Sequence, residues 1–295
     1  MASLKEIRTR IASIRSTRKI TSAMKMVAAS RLRKVQNNII HLRSYAETLK
    51  YILSDVMLRL PPSYQNIYLK PRSTDDVLLI SVGSDKGLCG TYNTLLIKRT
   101  LQEKTELEDE GERVKLLALG KKPARFFEKR NFDVQEADSD AINNVSYDSA
   151  CAFAEVVTDL YLKENFGRVL IVYNRFKNAV FHQLTVEQVL PLTEDDLISS
   201  LPEDDEIPDD RIILEPEAEE VIDYMTRQYL HYNIYRILLD ASASEHGSRM
   251  TAMHQATDNA DDMLKSLTLS YNKARQASVT RELLDIVGGA GRRSS

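Results

Sequence analysis

Through the first part of the chain, apolar or small residues recur at Ile7, Ile11, Ile14, Thr21, Met24, Ala28, Leu32, Val35, Ile39, Leu42, Ala46, Leu49, Leu53 and Val56, in steps that alternate three and four. That spacing is the seam of a coiled coil sustained for about seven heptads. Arg18 occupies a skipped position, and a four-four step through Ala28 would locally unwind the supercoil. At 1.5 Å per residue the helix is roughly 80 Å long and cannot fold back into a globule. Pro61 and Pro62 stop it, because proline lacks an amide donor and disfavours helix in the residue before it. Residues 1–60 therefore form an N-terminal coiled-coil helix.

A second long helix is expected to begin near Pro216, a first-turn proline followed by Glu217, Glu219 and Glu220 at the positive end of the dipole. Its seam is read at Ala252, Ala256, Ala260, Met263, Leu267, Ser270, Ala274 and Ala277, and Gly288, Gly289 and Gly291 mark its end. Alanine and serine there permit close helix approach. With one such helix at each end of the chain, the economical arrangement is an intramolecular antiparallel pair, the second member spanning residues 215–288.

Between the helices the period changes. Val77 to Val82, Val114 to Leu119 and Val169 to Tyr173 are short β-branched or aliphatic runs, while Lys121 to Arg130 and Ser149 to Glu164 read as amphipathic helices. Strands alternating with helices predict a parallel α/β sheet over residues 73–193. The last run, Ala179 to Leu190, follows a turn and reads as an antiparallel edge strand. Residues 194–214 form an acidic loop led by Glu194, Asp195, Asp196 and the run Glu203 to Asp210.

Charge is distributed unevenly. The net value of -3 predicts no particular partner, but the segment from Lys5 to Arg59 is a basic rod in which Glu6, Glu47 and Asp55 face thirteen cations. Nucleic-acid binding is the rival use of such a rod; against it, the cations interleave with the seam and no aromatic precedes Tyr45, so there is no stacking platform. Cys89 and Cys151 sit in no ligand-like spacing, which fits a reducing compartment. No run approaches the length of a membrane span, and the basic start stays in helical phase too long for a removable leader, so it is read as mature structure.

The most tempting chemical motif is the glycine-rich loop from Gly83 to Gly90, placed after a strand and before a helix, as phosphate loops are. Its spacing is neither G-x-G-x-x-G nor G-x-x-x-x-G-K-[ST], since Lys86 precedes Gly87. We read it as a structural turn. The five histidines form no ligand pair, and Ser81, Ser84 and Cys89 show no nucleophile elbow, so no catalytic residue, metal site or cofactor is expected.

Three of these segments carry a resemblance: Ile11 to Arg33 (IASIRSTRKITSAMKMVAASRLR), Ser84 to Asn93 (SDKGLCGTYN) and Ser244 to Gly289, which begins SEHGSRMTAMHQATDNADDM. Together they resemble, in order, the signature regions of the gamma subunits of bacterial-type F-type ATP synthases. The resemblance implies an α/β fold class: a long antiparallel coiled coil of N- and C-terminal helices plus a central Rossmann-like α/β domain. It also implies a central-stalk rotor without an active site of its own. Its partners would be the alpha and beta subunits of the catalytic hexamer, the epsilon subunit and the membrane c-ring, on the cytoplasmic face of the bacterial inner membrane. By motif position, Met24 and Lys25 would lie near an acidic lever of a beta subunit. Arg249, Gln276, Thr280 and Glu282 would belong to the shaft's contacts with the ring and with its own partner helix. The acidic insertion and the polar tail Gly291-Arg-Arg-Ser-Ser depart from the pattern, and no paired-cysteine insert for thiol switching is visible.

Overall fold

The computed structural model describes residues 4–58, 64, 66–137, 140–192 and 218–291. The Pro61–Pro62 stop, Pro216 and the acidic loop 194–214 lie outside the described residues. In chain order the elements are α1 (Leu4–Leu58), β1 (Asp76–Val82), α2 (Tyr92–Asp109), β2 (Arg113–Leu119), α3 (Lys121–Glu128), β3 (Val134–Ala137), α4 (Asp140–Asn143), α5 (Tyr147–Lys163), β4 (Arg168–Phe176), β5 (His182–Leu190) and α6 (Ala218–Gly291). The chain divides into two compact units, Met1–Ala28 with Arg249–Ser295, and Ala29–Ser248. Both terminal helices contribute residues to each unit.

The larger unit is built on one sheet with strand order β3-β2-β1-β4-β5. The first four strands run parallel, and β5 returns antiparallel to β4 with Tyr173 opposite Thr185. Alternation along β1 sends side chains to opposite faces. Leu78, Ile80 and Val82 join Leu117, Leu119, Val169 and Ile171 on one face, covered by Leu53 and Val56 of α1, Phe153 and Val157 of α5, and Ile234 and Leu238 of α6. Val77 and Leu79 join Leu116, Ala118 and Val172 on the other, under Leu96 of α2 and Phe127 of α3. A sheet covered on both faces explains why its strands read as near-continuous apolar runs.

Three differences from the sequence expectations have local causes. β3 was not anticipated, because its four residues Val-Gln-Glu-Ala carry too few apolar positions to show a period. Helix α5 starts two residues earlier than Ser149, since Ser146 caps it: its hydroxyl accepts from the Ser149 amide while the Ser149 hydroxyl accepts from the Ser146 amide. The range 215–288 falls short at its end, since α6 runs through Gly288 and Gly289 to Gly291, the last of the three glycines expected to mark its end. Glycine lowers helix propensity by only about 1 kcal/mol and forces no stop by itself.

The hairpin of β4 and β5 is tied to α6 by a polar network. Arg236 donates to the Tyr173 hydroxyl at 3.1 Å, to Asn233 Oδ1 at 2.6 Å and to Glu187, while Tyr173 donates to Glu187 Oε2 at 2.6 Å. Burial opposes the Arg236 charge, but Tyr173, Glu187 and Asp240 more than offset it. Burial also pushes the Tyr173 hydroxyl up to about 12.

Candidate functional site

Within the smaller unit, α1 presents Leu4, Ile7, Ile11 and Ile14 as buried or half-buried positions, then Thr21, Met24 and Ala28. On α6 the corresponding series is Met253, Thr257, Ala260, Leu264, Leu267, Tyr271, Ala274 and Ser278, an unbroken alternation of four and three. This corrects the expected seam at five places: Met253 and Thr257 stand where Ala252 and Ala256 were expected, and Leu264, Tyr271 and Ser278 where Met263, Ser270 and Ala277 were. Met263, Ser270 and Ala277 are exposed, and the less exposed positions are the next residues along. Every shift is by one residue: Tyr271 takes the place of the small Ser270, and of the two similar-sized apolar residues Met263 and Leu264 the second is the less exposed.

Two contacts set the direction of the pair. The hydroxyls of Thr21 and Thr257 meet at 2.9 Å, and Arg18 Nε lies 2.5 Å from Asp261 Oδ1. Stepping toward the start of α1 therefore steps toward the end of α6, so the helices are antiparallel here. Arg18, at the skipped apolar position, is not a gap in the pattern: its side chain reaches across to the partner helix.

The six residues singled out by resemblance fall at two levels. Met24 and Lys25 are half-buried on α1, and Arg249 is buried on α6. The Thr21 to Thr257 register places residue 249 about level with residue 29, so these three share one end of the unit. Gln276, Thr280 and Glu282 are exposed, and Thr280 Oγ1 donates to the Gln276 carbonyl at 2.9 Å within one turn. At 1.5 Å per residue Gln276 stands about 40 Å along α6 from Arg249, near the start of α1. The structure does not bring the six together as one cluster.

Sequence reasoning missed the exposed apolar residues. Ile20, Met26 and Val27 on α1, and Met263, Leu269, Leu283 and Leu284 on α6, stand in solvent off the seam, Met26 at 64 % and Leu284 at 66 % of full exposure. Their signal was available: each falls between positions of the three-four series.

The glycine-rich loop in the larger unit is closed on itself. Gly83 N donates to Leu119 O at 2.9 Å, Ser84 N to Asn93 Oδ1 at 3.0 Å, Lys121 N to Asp85 Oδ1 at 2.9 Å and Lys122 N to Ser84 O at 3.0 Å. The first two amides of the loop, and the first two of the following α3, are thus engaged by protein acceptors and not directed at a ligand. Gly120 is required here, with φ at 103° and the position of an added Cβ only 2.7 Å from Gly83 O. Among the described residues no group of His, Cys, Asp or Glu could hold a metal ion.

These features define a mixed α/β protein with one sheet-bearing unit and one unit in which the long terminal helices pair antiparallel. Residues 3–291 match the family described as ATP synthase. The ATP synthase gamma chain of Christiangramia forsetii is 39 % identical over 290 residues, covering 98 % of each chain, and that of Chloroherpeton thalassium is 40 % identical over 299 residues with the same coverage. The chain belongs to the ATP synthase gamma chain family. Among solved structures, a chain of the Euglena gracilis mitochondrial ATP synthase, in an assembly of OSCP, F1 and c-ring, has the same fold: TM-score 0.67, 21 % identity, 98 % of this chain and 93 % of that one. A chain from the central stalk and c-ring of the Tetrahymena thermophila mitochondrial enzyme has a TM-score of 0.56 at 25 % identity, over 80 % of this chain and 99 % of that one.

Proposed function

We propose that this chain is the central-stalk rotor of an F-type ATP synthase, coupling ion-driven rotation of the c-ring to ATP synthesis or hydrolysis at the beta subunits while carrying no active site itself. The paired part of α1 and α6 enters the ring of alpha and beta subunits; the α/β sheet unit docks on epsilon and the c-ring. Its place is peripheral, on the cytoplasmic face of the bacterial inner membrane. No described helix is long and apolar enough to cross a membrane. Met24, Lys25, Arg249, Gln276, Thr280 and Glu282 are transmission contacts, not catalysts.

The observation that carries this reading is the antiparallel pairing of two long terminal helices, held by Thr21 with Thr257 and Arg18 with Asp261, in a chain that matches the ATP synthase family over residues 3–291. Ile20, Met26, Val27, Leu269, Leu283 and Leu284 are exposed and not needed to hold α1 to α6, which leaves them available to a surrounding protein. Cations around them, including Arg8, Arg15 and Lys19, suit acidic stator surfaces without deep pockets that would trap a rotor. A unit charge crossing 100 mV is worth about 2.3 kcal/mol, so several charges per step load the shaft with on the order of 10 kcal/mol. Two packed helices resist twisting under that load better than one. The test is copurification of the tagged chain from detergent-solubilised membranes with identification of its partners. Recovery of alpha, beta, epsilon and c subunits is expected; recovery of the chain alone, or with other proteins only, would overturn the reading.

A further inference from the structure

In the larger unit a cleft of about 230 Å³ opens between the middle of α1, the turn after α4 and the α6 segment around Ser242. It is lined by Arg31, Lys34, Val35, Asn38, Asn144, Val145, Ser242 and His246. No acidic side chain is among the lining residues. Arg31 and Lys34 sit three residues apart, hence on one face of α1, and Asn38 follows one turn after Lys34 on the same face. From the opposite side comes Ser242, only 3 % exposed. Most of the buried hydroxyls on these helices have a protein acceptor: Thr226 donates to Ile222 O at 2.7 Å and Ser244 to Asn174 O at 2.8 Å. The Ser242 hydroxyl donates to none of the described residues and lines this cleft, where it is left open to whatever fills the space.

We propose that the cleft is a binding site for a small tetrahedral oxyanion of the phosphate class. The donor set fits that chemistry: a guanidinium from Arg31, an ammonium from Lys34, amide N–H groups from Asn38 and Asn144, and the Ser242 hydroxyl approach one space from several directions. Halide ions need no such spread of donors, whereas four oxygens do. Size narrows the ligand further. At about 30 Å³ per water the cleft holds about eight waters, enough for one hydrated phosphate. It falls below the roughly 300 Å³ from which sites for drug-sized ligands begin, which suits a small anion better than a nucleotide. The site is separate from the glycine-rich loop and does not depend on the rotor reading.

The full-length chain would be titrated with inorganic phosphate at fixed ionic strength, following heat and ³¹P line width, with sulfate and chloride in parallel. Saturable binding with a Kd of about 1 mM or tighter is expected, with sulfate competing and chloride not. Lys34→Ala and Ser242→Ala should each weaken it about tenfold, the loss of one charged contact. Lys98→Ala, which removes an equally exposed cation on α2, should leave it unchanged. Lys34 is exposed, so its variant tests the site even where Ser242→Ala perturbs folding. The proposal is overturned by an absence of saturation, by equal competition from chloride, or by equal weakening in Lys98→Ala.

Discussion

The hydroxyls of Thr21 and Thr257 lie 2.9 Å apart in the seam of the paired helices, although 236 residues separate them along the chain. Each hydroxyl has one proton to give. Thr257 Oγ1 stands 2.7 Å from Met253 O, and Thr21 Oγ1 stands 3.1 Å from Arg18 O, so the shorter bond claims the Thr257 proton and Thr21 donates to Thr257. The pair is therefore directional, and it fixes the register of an otherwise sliding apolar seam. Replacing either threonine by valine should lower stability by about 1 kcal/mol, and the double-mutant cycle should give a coupling of about 0.5 to 1.5 kcal/mol. Additive losses would mean the two hydroxyls do not interact in solution.

Arg18 and Asp261, one turn away, should behave differently. Their side chains are 47 % and 37 % exposed, and an ion pair in that setting is worth about 1 kcal/mol or less. Thermal unfolding of Arg18→Ala, Asp261→Ala and the double variant at low salt should give a coupling within that range, and it should shrink toward zero in molar salt. A coupling that survives high salt would show the pair to be buried by something else.

A third expectation concerns acidity. Burial pushes the Asp240 carboxyl up from an ordinary 3.8 to about 6, even though Arg236 lies 3.7 Å away and Arg175 also pulls it down. Arg236 is already engaged by Glu187 and Tyr173, which leaves desolvation to decide. An acid whose folded-state value is raised binds more protons folded than unfolded between about pH 4 and pH 6. Stability therefore falls as pH rises through that window, by at most about 3 kcal/mol at 1.36 kcal/mol per unit. Asp240→Asn removes this slope. The variant should gain on the parent as pH rises from 4 to 7 in paired thermal melts, and parallel curves would refute the raised value.

What was legible in the sequence follows from how strongly each pattern repeats. The seam of α1 was readable because the same spacing is imposed through Ile7, Ile11 and Ile14, and one ambiguous position cannot shift it. The far part of α6 was readable as helix but misphased, since alanines and serines occur on all its faces and a small side chain does not by itself say which face is covered. Met263 and Leu264 illustrate it: adjacent, both apolar, and only the partner helix decides between them. β1, β2 and β4 were plain because both their faces are buried, whereas β3 has one neighbour and four residues. The candidate contacts were a matter of motif position. The structure separates Arg249 from Gln276 by several turns, a distance that no motif spacing makes obvious until the helix is known to be continuous.

The glycine-rich loop gives a fourth expectation. With the amides of Gly83, Ser84, Lys121 and Lys122 engaged by protein acceptors, titration of the full chain with ATP or NAD should produce no saturable heat. Micromolar binding that disappears in Lys86→Ala would contradict this. The same loop should tolerate added bulk poorly, because a Cβ on Gly83 would stand 2.7 Å from Pro123 Cδ and Cγ. Gly83→Ala should lower stability by about 1 to 3 kcal/mol, the usual range for overpacking.

The expectation most specific to a rotor concerns Met24. It is half-buried on α1 beside the half-buried Lys25, and Met26 and Val27 next to them are exposed, so this turn of the helix meets both the seam and whatever surrounds the pair. Under the rotor reading proposed above, Met24→Lys puts a second cation beside Lys25 where the shaft would slide past acidic stator surface. An unplanned attraction of about 1 to 3 kcal/mol, the value of a charge-assisted hydrogen bond, would stabilise one rotary dwell over the others and raise the barrier to leaving it. Assembly and nucleotide binding should survive, since the change leaves Thr21, Ala28 and the rest of the seam in place. Ion pumping per ATP hydrolysed should fall. Membrane vesicles carrying the variant complex would be assayed in parallel for ATPase activity and proton uptake. Hydrolysis retained with pumping markedly reduced would support Met24 as a transmission residue; equal losses in both, or none in either, would remove it from that role.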